Sequence, residues 1–346
     1  MKKELLMGTA LVSTLGAASV AEAVTATMSG NHKTGIEFDS PTGGTDTNAQ
    51  INDNNFTVSL SETTDGGMTI SSSFKVMDEN TKEDYDAGFT LAFTDGSKLD
   101  VLNAGNASGS HAVAIPSSAG AEGVANTSTN VAPTGLDFAT GSTALGVEYH
   151  TAADFLADGL SASISISTDS GAAATSTYRT DSHVAIGATY VTDLGDTALT
   201  IGGGYSTTDG SRDGTMPSDD TAGMHVGLSA VTGDLTVAVG FADGSVAGVS
   251  DNGSDEYTAE VVAAGLKFVT GDLTFNVGIA SGEADDHSNG GADGDDDSQD
   301  VTSASVSYAV ASGVTAILGY TSTSSTDEGI GTDDGSAWYI GANMSF

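Results

Sequence analysis

Strand-like alternation runs through this chain and constrains its fold more than any other feature. From Leu273 to Ala280, large apolar residues occupy one parity and small or polar residues occupy the other. Because successive side chains of a β-strand point to opposite faces, this pattern predicts a strand with one apolar face. Similar alternation recurs from Phe56 to Leu60 and from Leu235 to Phe241, and no segment of comparable length has a convincing helical period. The sequence therefore predicts an all-β protein.

The face opposite the apolar residues is unlike the surface of a soluble protein. Ser161, Ser163, Ser165 and Ser167 alternate with apolar residues, at positions where a soluble sandwich would carry Lys, Glu or Arg. A membrane barrel explains both faces, because apolar side chains face lipid, small polar ones face a wet lumen, and closure leaves no unpaired edge. The predicted fold class is a transmembrane antiparallel β-barrel.

The number and spacing of the alternating segments support this architecture. Tight turns near 64–66, 94–96, 232–234 and 270–272 alternate with longer connections, as short periplasmic turns alternate with long extracellular loops in outer-membrane barrels. We expect residues 24–346 to form one barrel in which the first and last strands pair and both termini lie on the periplasmic side. The sixteen predicted strands lie near 24–37, 54–62, 66–78, 85–94, 97–102, 142–151, 159–168, 180–192, 196–207, 219–232, 233–242, 256–269, 271–281, 299–310, 312–322 and 336–346.

The first residues have the features of a secretory signal peptide. Lys2 and Lys3 precede an apolar stretch, which ends at the small-x-small sequence Ala21-Glu22-Ala23. A single membrane-spanning anchor is the weaker alternative, because Gly, Ser and Thr residues dilute the run below the roughly 20 strongly apolar residues that a spanning helix needs. We predict that residues 1–23 are a signal peptide, cleaved after Ala23.

Composition excludes several classes of protein. The chain has 47 acidic and 9 basic residues, for a formal net charge of −38, which argues strongly against nucleic acid as a partner. There is no cysteine, so disulfides cannot hold the fold together. A hydrophobic fraction of 38%, arranged in an alternating pattern, argues against a disordered acidic chain.

The C-terminus and the first hairpin resemble a known family. Trp338, Ile340, Ala342, Met344 and the terminal Phe346 share one parity, which resembles the recognition signal of proteins inserted by the outer-membrane assembly machinery. Together with the hairpin of residues 55–75, this pattern is similar to that of the alphaproteobacterial general porins.

That resemblance implies a sixteen-stranded homotrimer in outer-membrane lipid, whose third extracellular loop folds into the barrel and narrows it. Residues 103–141 occupy the place of such a loop, between the fifth and sixth predicted strands. They depart from the family in being nearly uncharged, with Glu122, Asp137 and His111 as the titratable groups. The implied function is passive diffusion of small hydrophilic solutes and ions, with no cofactor and no enzymatic turnover.

Strand parity predicts which charged residues line the lumen. A midplane Lys on the lipid face would cost about 2–4 kcal/mol, so charged strand residues should point inward. Lys33, Lys75 and Lys98 are expected to line one wall and to face Asp100, Glu122 or Asp137, which would create a transverse field and, with acidic outer loops, modest cation selectivity. Mere avoidance of lipid explains the same sorting equally well. The predicted pore-lining residues are Lys33, Lys75, Lys98, Asp100, Glu122, Asp137, Glu148, His150, His183, His225 and Lys267.

Two other chemistries fit the sequence less well. No two of the six histidines have the spacing of metal ligands, and none lies beside a nucleophile elbow, so an enzyme is not expected. The acidic segment 283–300 offers Asp293, Asp295 and Asp297 as calcium ligands, but it lacks the order of an EF-hand, and a solvated charge run is the favoured reading. The alternative function is an acidic calcium-dependent surface adhesin or surface-layer protein. The terminal Phe346 and the alternating loop lengths argue against it.

Overall fold

One antiparallel sheet contains all the strands of the described chain. The computed structural model describes residues 24–41, 44–78, 81–82, 88–102, 106–117, 146–168, 178–212, 221–247, 256–285, 297–327 and 331–346. The strand segments are β1 (Thr25–Pro41), β2 (Thr47–Thr63), β3 (Thr69–Asp78), β4 (Thr81–Lys82), β5 (Phe89–Ala92), β6 (Lys98–Val101), β7 (Val147–His150), β8 (Leu160–Thr168), β9 (Tyr178–Leu194), β10 (Thr197–Arg212), β11 (Thr221–Thr232), β12 (Leu235–Ala247), β13 (Glu256–Thr270), β14 (Leu273–Asp285), β15 (Asp297–Ala311), β16 (Val314–Asp327) and β17 (Gly331–Ser345).

These segments form sixteen barrel strands, as the sequence predicted. β4 and β5 both pair with β3, so they are two segments of one strand. Each other strand pairs with its neighbours in chain order. Several strands are longer than predicted. β2 begins at Thr47 rather than near residue 54, and the ends of β10, β12, β16 and β17 farthest from the tight turns each lie five residues beyond the predicted bounds. Residues 47–53 have too little apolar alternation to predict a strand, and pairing with β1 extends the strand through them.

The sheet closes between its first and last strands. β1 pairs with β17 from Asn31 opposite Ser345 to Pro41 opposite Gly335, which confirms the predicted closure. The Gly30 amide donates to the Phe346 carbonyl at 3.2 Å, and the Phe346 amide donates to the Gly30 carbonyl at 3.1 Å. Both ends of the described chain therefore lie at the end of the barrel that carries the tight turns.

Glycines shape the tight turns. The hexapeptide Val231–Thr236 recurs as Val269–Thr274, and each copy joins two neighbouring strands. Gly233 and Gly271 have φ values of 57° and 58°, a region that residues with a Cβ rarely occupy. The repeated hexapeptide thus forms the same kind of glycine-containing hairpin turn twice.

The two faces of the sheet differ in chemistry. On β8, Ile164 and Ile166 are exposed on the outer face, whereas Ser163 and Ser165 are buried on the inner face. Aromatic side chains such as Phe93, Tyr149 and Phe268 are exposed on the outer face. The rings of Tyr320 and Trp338 pack in the middle of β16 and β17, with centroids 4.6 Å apart. No helix within the described ranges is long and apolar enough to cross a membrane.

Candidate functional site: the barrel lumen

Residues 106–117, which we call the inner segment, lie inside the barrel. They include a single turn of 3₁₀-helix, Gly109–His111. The Ala107 amide donates to Ser165 Oγ on β8 at 2.9 Å, and His225 Nε2 on β11 donates to the Ser108 carbonyl at 2.9 Å. Ala107 and Ser108 are completely buried. The segment is therefore hydrogen-bonded to the inner wall across several strands.

The second half of the inner segment packs through apolar contacts. Ile115 is 2% exposed and forms a cluster with small wall residues of β12–β15, against which Val113 also packs. Alanine at the wall positions leaves room for the Ile115 side chain. The wall residues of this cluster are Ala238, Ala263, Ala280 and Val301.

Glycines on the wall allow the inner segment to approach closely. A Cβ added to Gly204 would come within 3.0 Å of Ser108, and one added to Gly265 would come within 3.0 Å of Pro116. Real Cβ atoms essentially never make such contacts with backbone. These glycines are needed for backbone approach rather than for a special φ value.

A directed chain of hydrogen bonds connects the inner segment to the wall. His150 Nε2 lies 2.8 Å from Asp100 Oδ2, and because a carboxylate accepts, this nitrogen donates. In a neutral His150, Nδ1 then accepts from Ser163 Oγ at 2.7 Å. Ser163 in turn accepts from His111 Nε2 at 2.8 Å, and His111 Nδ1 accepts from Thr189 Oγ1 at 2.7 Å. With a neutral His150, the carboxylate at the end of this chain sets the direction of its hydrogen bonds.

The environment of His111 favours its neutral form. His111 belongs to the inner segment rather than to a membrane-spanning strand, and it is buried. Burial, and then repulsion by His150 when that residue is protonated, hold the pKa of His111 below its ordinary value, whereas nearby Glu148 opposes this shift. A neutral imidazole has one donor and one acceptor nitrogen, as the chain requires.

Four predicted pore-lining residues meet on β6 and β7, and we call them the charged cluster: Lys98, Asp100, Glu148 and His150. Lys98 Nζ lies 3.4 Å from Asp100 Oδ2, and His150 Nε2 lies 3.4 Å from Glu148 Oε1. Ser110 of the inner segment donates to Glu148 Oε1 at 2.6 Å. The cluster therefore combines one lysine, two carboxylates and one histidine beside the inner segment.

The other predicted cations occupy different surroundings. Lys33 Nζ lies 3.6 Å from Asp53 Oδ2, which is not one of its predicted partners. Lys75 lies opposite Thr57 in the β2–β3 register. Lys267 lines a separate cavity under the inner segment. The structure does not gather Lys33 and Lys267 into the charged cluster.

The side chain of His183 is wholly enclosed, and its ring forms no hydrogen bond. It is 0% exposed, and neither ring nitrogen has a partner. Its cross-strand neighbours Ser167 and Thr208 also have hydroxyls without partners. The structure thus places a set of unpaired polar groups on the inner face of β8–β10.

Several predicted site residues lie outside the described part of the chain. These are Glu122 and Asp137 of the predicted loop, together with Asp293 and Asp295 of the acidic segment. Asp297 is the first residue of β15. Within the described ranges, no group of three or more histidine or carboxylate residues is placed to hold a metal ion.

Parity reasoning missed the residues that connect the site. Ser163 links two histidines, Thr189 binds His111, and Asp53 neighbours Lys33. Ser163 and Thr189 lie on the inward parity of predicted strands, so their orientation was available from the pattern, whereas Asp53 lies outside the predicted strands. The partners of all three were not available, because partners come from distant parts of the chain.

A cavity of about 500 Å³ lies between the inner segment and the wall. The inner segment contributes mostly apolar side chains to it, and the wall contributes hydroxyls, an amide and one lysine. Its lining residues are His111, Ala112, Val113, Ala114, Ile115, Pro116, Ser117, Thr189, Thr200, Ser229, Thr236, Lys267 and Asn276.

Solved structures of outer-membrane channels share this fold. An anion-selective porin from Comamonas acidovorans superposes with a TM-score of 0.64 and 10% identity, over 93% of this chain and 100% of that one. The channel DcaP of Acinetobacter baumannii gives 0.65 and 11% identity, over 93% and 97%. The trimer form of OmpT from Vibrio cholerae gives 0.58 and 15% identity, over 94% and 100%.

Sequence comparison identifies the family. No curated protein sequence matches this chain. A family model described as Gram-negative porin matches residues 8–329, which is most of its length. Porins are outer-membrane channels, and the closed barrel with its polar inner face is the structure that such a channel needs. This chain belongs to the Gram-negative porin family and is located in the outer membrane.

Proposed function

We propose that this barrel is a general diffusion pore, through which small hydrophilic solutes and ions pass without a bound cofactor and without catalysis. The observation that carries the proposal is the chemical contrast between the two faces of each strand. Ser165 and Ser303 are buried on the inner face, while Ile166 and Ile279 are exposed on the outer face. Hydroxyl and small side chains can hydrogen-bond to water and solutes without a strong preference for one of them.

We further propose that residues 103–141 narrow this pore. The hydrogen bonds and apolar contacts between residues 106–117 and the inner wall support this. The charged cluster then lies beside the narrowed region. We also propose that three further residues line the pore: Lys75, Glu122 and Asp137.

Modest cation selectivity is the second part of the proposal. Lys33 and Lys98 each lie within 4.0 Å of a carboxylate, so their charges are locally balanced. The rest of a chain with a net charge of −38 is strongly acidic and would concentrate cations at the mouth. Lysines and acids on β1–β7 would also impose a transverse field on dipolar solutes.

We also propose that assembly and export occur as the sequence predicts. We propose a homotrimer, supported by the fold shared with the trimer form of Vibrio cholerae OmpT. Three expectations from the sequence stay predictions: cleavage after Ala23, recognition of Phe346 by the assembly machinery, and the similarity of the first hairpin to alphaproteobacterial porins. Calcium binding at Asp293, Asp295 and Asp297 also stays a prediction.

Planar-bilayer recording of purified protein tests the function. We expect stepwise, ohmic conductance in KCl and a reversal potential under a salt gradient that favours K⁺ over Cl⁻. A reversal potential of the opposite sign would overturn the selectivity while leaving the pore in place. A folded protein that produced no conductance steps would overturn the pore itself.

A further inference from the structure

The cavity under the inner segment has the size and position of a ligand site. Its volume of about 500 Å³ lies within the range of roughly 300–1,000 Å³ that is usual for small-molecule sites. Its wall residues lie near the strand ends that the tight turns connect, on β9–β14. The charged cluster belongs to β6 and β7, so the cavity is a separate part of the lumen.

Lys267 gives this cavity an unbalanced positive charge. It lies on β13, directly across from Thr236 on β12 and Asn276 on β14. No carboxylate lines the cavity, and the ion pairs found within the described ranges do not include Lys267. Lys33 and Lys98, by contrast, each have a neighbouring carboxylate. An uncompensated ammonium group in so acidic a protein is suited to an anionic ligand.

Hydrogen-bond donors beside Lys267 suit a carboxylate in particular. Asn276 is 7% exposed, and its Nδ2 donates one hydrogen to Ser305 Oγ at 3.3 Å, which leaves a second amide hydrogen available. The hydroxyls of Thr200 and Thr236 also line the cavity. Charge-assisted hydrogen bonds to carboxylate oxygens are stronger than neutral ones.

The opposite side of the cavity is apolar. Ala114, Ile115 and Pro116 of the inner segment form it, and Ile115 is fixed by the alanine cluster of the wall. An aliphatic chain would bury apolar surface there, whereas a second charge at that end would lose its hydration without gaining a partner.

We propose that this cavity binds small aliphatic monocarboxylates during their passage through the pore. The carboxylate lies between Lys267 Nζ and the amide of Asn276, and the short carbon chain lies on Ile115 and Pro116. The inference rests on the proposed pore function only for access of the solute to the lumen. The protein would then select among solutes by binding as well as by size.

Equilibrium binding to protein in nanodiscs tests this without any requirement for conductance. Sodium butanoate, sodium acetate and the neutral isostere butanamide are titrated at constant ionic strength and followed by saturation-transfer NMR. We expect saturable butanoate binding that is about tenfold tighter than acetate binding, because two additional methylene groups are buried. Butanamide should bind at least about tenfold more weakly than butanoate, because it lacks the charge. Equal affinities for butanoate and butanamide, or for butanoate and acetate, would overturn the proposal.

Variants locate the site. Lys267→Gln should weaken butanoate binding about tenfold, and Asn276→Asp, which places a carboxylate beside Lys267, should abolish it. Lys33→Gln is the matched control, since it makes the same change of charge on β1, and its butanoate affinity should equal that of the wild type. Heat-modifiable electrophoretic migration verifies that each barrel is folded. Unchanged binding in both cavity variants would overturn the proposal.

Conductance in KCl is recorded in parallel to separate the two proposals. A conducting pore without butanoate binding would overturn this inference alone. Butanoate binding to a barrel that does not conduct would overturn the diffusion-pore function alone and support the site.

Discussion

His111 Nε2 lies 2.8 Å from Ser163 Oγ, so a residue of the inner segment is hydrogen-bonded to a serine in the middle of β8. The same serine hydroxyl bonds His150 Nδ1 at 2.7 Å on the other side. One small side chain thus joins the inner segment to the charged cluster. This contact is one of several that hold the inner segment against the wall.

Replacing Ser163 should loosen the inner segment. Ser163→Ala removes one hydrogen-bond partner from each of two histidines, His111 and His150, and leaving buried polar groups unsatisfied costs about 1–3 kcal/mol. We expect faster hydrogen–deuterium exchange in residues 106–117, with the barrel strands unchanged. Ser161→Ala, on the same strand and face, is the control and should leave exchange as in the wild type. Equal exchange in the two variants would contradict the role assigned to Ser163.

Acidification should loosen the same segment. Burial lowers the pKa of His111 in the folded protein, so the inner segment favours neutral His111. Its contribution is complete above the ordinary pKa of about 6.5 and is lost as the pH falls through the folded-state value. The charged or titratable groups that influence it are His150, Glu148 and His225.

The measurement is hydrogen–deuterium exchange of residues 106–117 between pH 7.5 and 5, corrected for the intrinsic pH dependence of exchange. Protection from exchange should decrease as the pH falls in the wild type. It should decrease much less in His111→Gln, whose side chain cannot be protonated in this range. An identical pH dependence in the two proteins would assign the effect to another group.

Adding a methyl group to the wall should displace the inner segment. The Cβ of Gly265→Ala would overlap the backbone of Pro116, and overpacking of this kind costs about 1–3 kcal/mol. We expect larger single-channel conductance, because the displaced segment would narrow the lumen less. Gly335→Ala is the control, since its Cβ meets one atom of Pro41 at 3.9 Å. Unchanged conductance in Gly265→Ala would argue against a constricting role.

Charge reversal should alter ion selectivity. Lys75→Glu combined with Lys98→Glu changes the charge on β3 and β6 by four units. It should shift the reversal potential further toward the equilibrium potential of the cation. The salt-gradient reversal potential is compared with that of Lys75→Gln plus Lys98→Gln, for which half the shift is expected. No shift in either protein would remove these lysines from the selectivity mechanism.

Phe346 should be required for assembly. Its backbone pairs with Gly30, and its ring lies 6.3 Å, centroid to centroid, from Phe56. Phe346→Asp would place a charge on the exposed outer face, where lipid lies, so less heat-modifiable barrel should be recovered from outer membranes. Phe346→Leu should retain most of it. Normal recovery of Phe346→Asp would contradict the predicted insertion signal.

The sequence by itself determined the barrel, its sixteen strands and the orientation of the side chains. That information is local, because a period of two residues places Ile164 and Ser163 on opposite faces whatever their partners are. Gly233 and Gly271 likewise marked their turns through the conformational freedom of glycine.

The tertiary structure alone decided what lies next to each inward residue. His225 and Ser108 are 117 positions apart, and His111 and Thr189 are 78 apart, so no local pattern connects them. Parity gives the face of Lys33 and Lys267 but neither their height in the barrel nor their neighbours. Only the structure shows that Lys33 lies beside Asp53 and that Lys267 lines a cavity without carboxylates. The path of residues 106–117 was fixed by the glycines and alanines of distant strands, because only contact in three dimensions reveals where a missing side chain leaves space.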